Sequence, residues 1–467
     1  MSYDLPGPKS KALLERGLPH LRGGISYQRN AVKSAQKGFA PPAQMIVGRA
    51  EGDFVWDMDG NRYIDLQNGW ATNPLGNCHP EIIEAVHHAH KQYGFQWEHP
   101  LRIPAAEKIC ALMPGDGALP RFSFEVSGTE AAESAIHLAL CYTKRRYIIS
   151  FTSCFHGEGL GTKVVGGYDS EKSLYMEGWG GGVLKAPYPY SEEIPAGMSQ
   201  EQYVEYCLWY LETHLTEYVV PAENVAGIIV EPGLAEGGNW IPSIEFMQGI
   251  RRICDKYDWV MIADEVLTGL GRTGTMWSVE QYDVVPDILV AGKNLSGGIE
   301  PCAGVAASDE ILGDNPRASA GSTFAGTPAG CAAALKTIEI FERDNILDHA
   351  QKLAAQALAK MADWESRYDI VSQVRTHGLL MGVSFRQPDV DGEDYYLARS
   401  VRDAMLRRGV WAICDREPQV RMYPALNMAE EHLAQALDLM EESIDQVQRE
   451  GVSAGDYPPM PSGNVGF

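Results

Sequence analysis

The chain has 467 residues, enough for roughly two to three domain-sized units, and its 45% apolar and 22% charged residues are the balance of a globular protein. Its 39 basic against 62 acidic residues leave a net charge of −23, which argues against nucleic acid or an anionic membrane as partner, since both need a basic footprint. Nine cysteines without a C-x-x-C pair suggest neither a disulfide framework nor a zinc site, and no metal is expected. The N-terminus has no apolar signal core and no run of about 18 apolar residues occurs, so the expected compartment is the cytoplasm.

Residues 1–45 are polar and broken by Pro6, Pro8, Pro19, Pro41 and Pro42, with a short helix over 9–16; they form an arm that packs on something else. Residues 52–66 predict a hairpin turning at Asp59-Gly60-Asn61. Pro80 then stands near the first turn of a helix. Between Arg121 and Ala307, apolar runs at 122–126, 147–151, 163–165, 225–230, 260–263, 288–291 and 302–306 read as strands, with helical patterns between several of them. That alternation predicts an α/β layered domain with a mostly parallel sheet. Residues 168–198, rich in Gly, Pro and Tyr, suggest a long loop over a site. Past Gly330, helices are expected over 332–342 and 350–367 and short strands over 379–385 and 420–423. Asn427, with Glu430 three residues on, predicts the cap of a last helix with an apolar stripe at Leu433, Leu437, Met440, Ile444 and Val447. The expected units are 1–66, packing with the third; 67–331, the larger; and 332–467, a smaller α+β domain.

The chemistry centres on residues 260–293. One buried strand ends at Asp264-Glu265 and the next at Gly292-Lys293-Asn294. An acid and a lysine thus sit at the carboxyl edge of the sheet, where α/β proteins bind ligands. A desolvated lysine becomes a nucleophile towards carbonyl carbon, and a buried acid can hold a cationic ring nitrogen. Those are the two groups pyridoxal phosphate needs. Alone, the lysine would read as a solvated loop residue and the acids as a helix cap. Upstream, Ser127-Gly128-Thr129 joins a strand to an Ala-rich helix and offers a phosphate site; alone it reads as an ordinary helix start. Phe155, in Cys154-Phe155-His156-Gly157, can stack on a flat ring or serve as a core aromatic.

Asp-Glu-Val at 264–266, Thr-Gly-x-Gly-Arg-Thr-Gly at 268–274, Pro-Asp-Ile-Leu at 286–289 and Gly-Lys-Asn-Leu-Ser-Gly-Gly at 292–298 together resemble the class III pyridoxal-phosphate aminotransferases. Matching blocks run in the family's order from about Gly52 to Leu426. The resemblance implies fold type I, with a mostly parallel seven-stranded sheet in a large domain and a smaller α+β domain. It implies that Lys293 holds pyridoxal 5'-phosphate as a Schiff base and that Asp264 holds its ring nitrogen. Ser127, Gly128 and Thr129 would bind the phosphate. Phe155, followed by His156, would lie on one cofactor face and Val266 on the other, with Glu231 also at the cofactor. Ser322 and Thr323 lie in a loop that, in the family, reaches the partner subunit's phosphate, so a homodimer with sites at the interface is implied, or a tetramer. Glu236 would pair with Arg421, whose guanidinium fork matches a substrate carboxylate; alone, the two read as a surface ion pair worth at most about 1 kcal/mol. The implied reaction moves an amino group from an amine or ω-amino donor to a keto acid such as pyruvate or 2-oxoglutarate. A racemase, aminomutase or decarboxylase of the same fold is the alternative, and a non-catalytic binding protein the third.

There are two departures. Leu267 stands where many relatives carry a glutamine that contacts the cofactor's phenolic oxygen. Glu158 stands where dicarboxylate-specific relatives carry an arginine. Pointing at the far end of the substrate, Glu158 would repel a second carboxylate and favour a neutral or cationic end; alternatively it pairs with Lys163 or faces solvent. Trp70 and Tyr168 are expected at the mouth of the site.

Overall fold

Short runs of Val, Ile and Ala with no polar face can be buried only in the middle of a sheet covered on both sides, and that is where they lie. The computed structural model describes residues 2–17, 20, 42–167, 181–190, 194–313, 321–388, 392, 394–414 and 418–452. A first hairpin comprises β1 (Val47–Glu51), β2 (Phe54–Asp57) and β3 (Arg62–Asp65). The central strands are β4 (Arg121–Glu125), β5 (Tyr147–Phe151), β6 (Val183–Ala186), β7 (Val225–Val230), β8 (Val260–Asp264), β9 (Ile288–Ala291) and β10 (Ala303–Ala307). They form one seven-stranded sheet in the order β4-β10-β9-β8-β7-β5-β6. Only β10 runs antiparallel to its neighbours β4 and β9; the rest pair in parallel. In β7, β8, β9 and β10 every residue is buried.

The C-terminal part carries β11 (Val371–His377), β12 (Leu380–Phe385) and β14 (Gln419–Met422) in a three-stranded sheet. The short β13 (Val410–Trp411) pairs in parallel with β3, so the hairpin completes its sheet with a strand from the far end of the chain. One apolar cluster accordingly runs from Ile64 and Leu66 through Phe385 and Met405 to Leu437 and Val447. Among the described residues, no helix is long and apolar enough to cross a membrane.

Three expectations are corrected. Residues 163–165 are the end of a six-residue helix, Leu160–Val165, not a strand. Three apolar residues carry no period, and the Glu133 carboxylate accepts the Gly161 and Thr162 N–H groups at 3.0 and 3.2 Å, which holds the helical start. The seventh strand is β6, inside the stretch expected as loop; of that stretch, residues 168–180 and 191–193, with Tyr168, lie outside the described residues. The last helix, Glu430–Glu450, is not capped by Asn427, whose amide donates to Leu75 O at 3.2 Å. Asp53, from the N-terminal hairpin, instead accepts the Ala429 N–H at 3.1 Å. The residue that starts the helix is thus held by a tertiary contact, which a local motif could not reveal.

Register decides where the functional groups emerge, and it depends on close strand approach. A Cβ on Gly227 in β7 would stand 2.3 Å from Val260 O in β8. Gly227→Ala should therefore force these strands apart at a cost of about 1–3 kcal/mol. A lowered thermal midpoint checks this; an unchanged one contradicts it.

Candidate active site

Asp264 is the last residue of β8 and is buried. Its Oδ1 accepts the Val266 N–H at 3.1 Å, and its Oδ2 lies 2.7 Å from His156 Nδ1. Burial alone would lower the His156 imidazole pKa; the Cys154 sulfur and the Asp264 carboxylate beside it outweigh burial and raise it. Lys293 follows β9 by two residues. Its backbone is left-handed, with φ 43°, a costly conformation for a residue with a Cβ. The residue is half-buried, and desolvation pushes its amine pKa down against the opposing pull of the Glu236, Asp264 and Glu231 carboxylates. None of these acids is hydrogen-bonded to it. The amine is therefore desolvated, near acids, and bonded to none.

Glu231 closes the end of β7. It accepts the Phe155 N–H at 2.7 Å and the Ala235 N–H at 3.3 Å. Burial pushes its carboxyl up to about 8. By these bonds Glu231 fixes Phe155 and the start of the loop that carries Glu236. Ser127 caps the helix Gly128–Thr143, its Oγ accepting the Glu130 N–H at 3.3 Å. The first N–H groups of such a helix have no partner within it. Gly128 is required by space: a Cβ there would come within 2.7 Å of Val266 Cγ1. Gly128, Thr129, Phe155, His156, Glu231, Glu236, Asp264, Val266, Leu267 and Lys293 all line one cavity of about 150 Å³.

Arg421 comes from β14 and is 1% exposed. It donates to Glu236 Oε2 at 3.0 Å and to Ala235 O at 3.2 Å. Its Cζ lies 6.0 Å from the centre of the Trp70 ring. Ser127 borders an adjoining cavity that Gly128 and Lys293 also line. Ser322 and Thr323 do not line the Lys293 cavity of their own chain: Ser322 Oγ is 3.5 Å from Glu130 Oε2, and Thr323 O accepts the Trp97 indole N–H at 3.0 Å. Glu158 is not aimed into the cavity. It pairs with Lys163 at 3.1 Å with its side chain 55% exposed, the bland alternative, because the short helix 160–165 brings Lys163 round to it.

Sequence reasoning missed two residues. Asn239, fully buried with φ 51°, donates to Met381 O at 2.7 Å and accepts the Tyr423 hydroxyl at 3.0 Å, so it ties the Glu236 loop to the strands around Arg421. Arg272 is buried and donates to Leu379 O at 3.3 Å and Pro424 O at 2.6 Å. The Gly-Gly-Asn turn was the signal for the first; for the second, the motif gave the residue but not its partners.

The arrangement fits pyridoxal phosphate: a half-buried amine bonded to none of the nearby acids, a carboxylate on the adjacent strand end, a helix N-terminus brought close by glycine, and Phe155 and Val266 in the same cavity lining. Among the described residues, no group of three or more His, Cys, Asp or Glu could hold a metal. Fold and site thus define a fold-type-I pyridoxal-phosphate enzyme. The profile of class III aminotransferases matches residues 36–444. The chain is 32% identical over 383 residues to a probable 4-aminobutyrate aminotransferase of Bacillus subtilis, covering 80% of this chain and 86% of that one. It is 28% identical to a leucine/methionine racemase of Thermococcus litoralis, over 90% of this chain and 95% of the racemase. An (S)-enantioselective ω-transaminase structure from Thermomicrobium roseum matches with a TM-score of 0.83 at 26% identity, covering 94% of this chain and 99% of the other. The chain belongs to the class III aminotransferase family and is a pyridoxal-phosphate-dependent aminotransferase.

The purified protein should show the visible absorption of a lysine-linked cofactor. Lys293→Ala should lose that absorption while keeping its far-ultraviolet circular dichroism. A variant that keeps the band contradicts the assignment of Lys293.

Proposed function

We propose that this aminotransferase takes its amino group from an amine or ω-amino donor and passes it to a keto acid of the pyruvate or 2-oxoglutarate kind, with Arg421 as the carboxylate site. The observation that carries this is the buried Arg421–Glu236 pair beside the Lys293 cavity. A buried guanidinium left unpaired is costly, so it needs an anion at every stage. A substrate carboxylate supplies one; Glu236 supplies the other when the donor lacks it. The likeness to an enzyme named for 4-aminobutyrate supports an ω-amino donor. Glu158 adds little to that choice, since Lys163 neutralises it.

When bound, the cofactor supplies an aldehyde that takes up the amine and a protonated ring that draws electrons from the donor carbon. The chain's residues do the rest. Lys293 holds the cofactor and, once freed, takes the proton from the donor carbon and returns it; its lowered pKa makes the neutral amine available. Asp264 holds the ring N–H, oriented by His156 and the Val266 N–H. Phe155 and Val266 would lie against the ring, and Ser127, Gly128 and Thr129 would bind the phosphate at the helix N-terminus. Ser322 and Thr323 serve the partner's phosphate in a homodimer. Their absence from their own chain's cavity supports that, as does the 61% exposed Phe324, packed on Phe95 at 5.1 Å.

Incubation of the enzyme with an amine or ω-amino donor and pyruvate or 2-oxoglutarate should yield the new amino acid. Racemisation or gas release without amino transfer would favour the racemase or decarboxylase reading. Arg421→Ala should raise KM for the keto acid roughly 10- to 100-fold, the loss of a charge-assisted hydrogen bond of about 1.5–3 kcal/mol. KM for a donor without a carboxylate should move far less, and equal effects on both would make Arg421 merely structural.

A further inference from the structure

Between β3 and the helix Pro80–Tyr93, four successive residues stand in the left-handed region: Asn68, Gly69, Trp70 and Ala71, with φ 52°, 61°, 59° and 62°. It is the longest such run among the described residues. Three of the four carry a Cβ that crowds the following carbonyl there, so nothing local favours the turn. Such strain persists only where the surroundings over-determine it.

Asp65 is the anchor. It is 2% exposed, and among the described residues its carboxylate is bonded to backbone N–H groups and an amide rather than to a basic side chain. Oδ1 accepts the Gln67 and Asn68 N–H groups at 3.0 and 2.7 Å, and Oδ2 accepts the Asn77 amide at 2.9 Å. Further bonds continue the hold: Gln67 Oε1 accepts the Gly69 N–H at 3.0 Å, Asn68 donates to Asn73 O at 2.8 Å, and Thr72 Oγ1 donates to Gly69 O at 2.8 Å. The segment is also fastened to the strand end that carries Arg421, because the Tyr423 N–H donates to Leu66 O at 2.7 Å. The product of this scaffold is the placing of Trp70, whose ring centre lies 6.0 Å from the Arg421 guanidinium carbon.

We propose that Asp65 is a positioning residue for carboxylate recognition: it never meets substrate, but it holds the left-handed turn that sets the Trp70 ring over Arg421. An indole face attracts a guanidinium without competing for the hydrogen bonds a carboxylate needs. Trp70 therefore keeps Arg421 in place while its anion changes from Glu236 to substrate. This inference rests on Arg421 being the carboxylate site.

The test is Asp65→Asn in the holoenzyme, which keeps one acceptor for the turn but sets an amide against Asn77. KM for the keto acid should rise roughly five- to tenfold, while kcat and KM for a carboxylate-free amine hold. The Trp70 emission, taken as the difference between each protein and its Trp70→Phe counterpart, should shift. In a Trp70→Ala background, Asp65→Asn should add no further rise in KM. An unchanged keto-acid KM, an equal rise for both substrates, or additive effects with Trp70→Ala overturn the proposal. Arg421→Ala measured alongside separates the two readings. If it too leaves the keto-acid KM unchanged, the Arg421 reading has failed; a shifted Trp70 emission then still upholds the hold of Asp65 on Trp70, and an unshifted one overturns it. Should Asp65→Asn not fold, Gln67→Ala removes only the acceptor for Gly69 N–H and should give the same split between substrates.

Discussion

A partly desolvated amine, with carboxylates near it and none of them bonded to it, is the constraint on which the site depends. Burial of Lys293 disfavours its charged form, and three acids pull the other way. A hydrogen-bonded carboxylate would fix the amine as an ammonium and end its use as a nucleophile. Water would do nearly the same. The sheet prevents the first. Asp264 is paired in register with Val290 on the adjacent strand, so the two functional strand ends lie side by side. Its oxygens are already engaged by the Val266 N–H and by His156, and Glu231 is engaged by the Phe155 and Ala235 N–H groups. Each acid is thus satisfied by something other than the lysine.

The proposed substrate side of the site is assembled from distant parts of the chain. Arg421 lies on β14, Glu236 on a loop after β7, and Trp70 on the turn after β3. Glycine and Asn239 let the Glu236 loop turn back on itself, and Asn239 bonds it to the strands around Arg421. Arg272 donates from the loop after Asp264 to the carbonyls of Leu379 and Pro424. A buried ion pair adds little net stability compared with an apolar one of the same shape, but breaking it is expensive. That asymmetry suits the role proposed for Arg421, which would exchange one anion for another.

Much of this was legible because the chemistry falls at strand ends. A fully buried strand announces itself by an unbroken apolar run, and the first polar residue after it marks the carboxyl edge; Asp264, Lys293 and Glu231 were found that way. Strand β6 was hidden because it is four residues long, half-buried and followed by Pro187. The helix Leu160–Val165 was mistaken for a strand because so short a run has no period, and its start is held by Glu133 from another helix. Asn427 offered a local cap, yet its amide turns to Leu75 O, and Asp53 from the N-terminal hairpin holds the Ala429 N–H at the helix start. Glu158 had two readings from its neighbours in sequence, and only the turn of that short helix decided for Lys163. The left-handed turn of Asn68–Ala71 had no composition signal beyond one glycine, since its cause is a buried acid three residues earlier.

The pH dependence of the reaction of Lys293 with an acylating reagent, measured on cofactor-free protein by mass spectrometry of its peptide, tests the desolvated amine most directly. The predicted midpoint lies below 10.5, the ordinary value for a lysine. A midpoint at or above that value would contradict the account, since the amine would then be held as an ammonium by the acids around it.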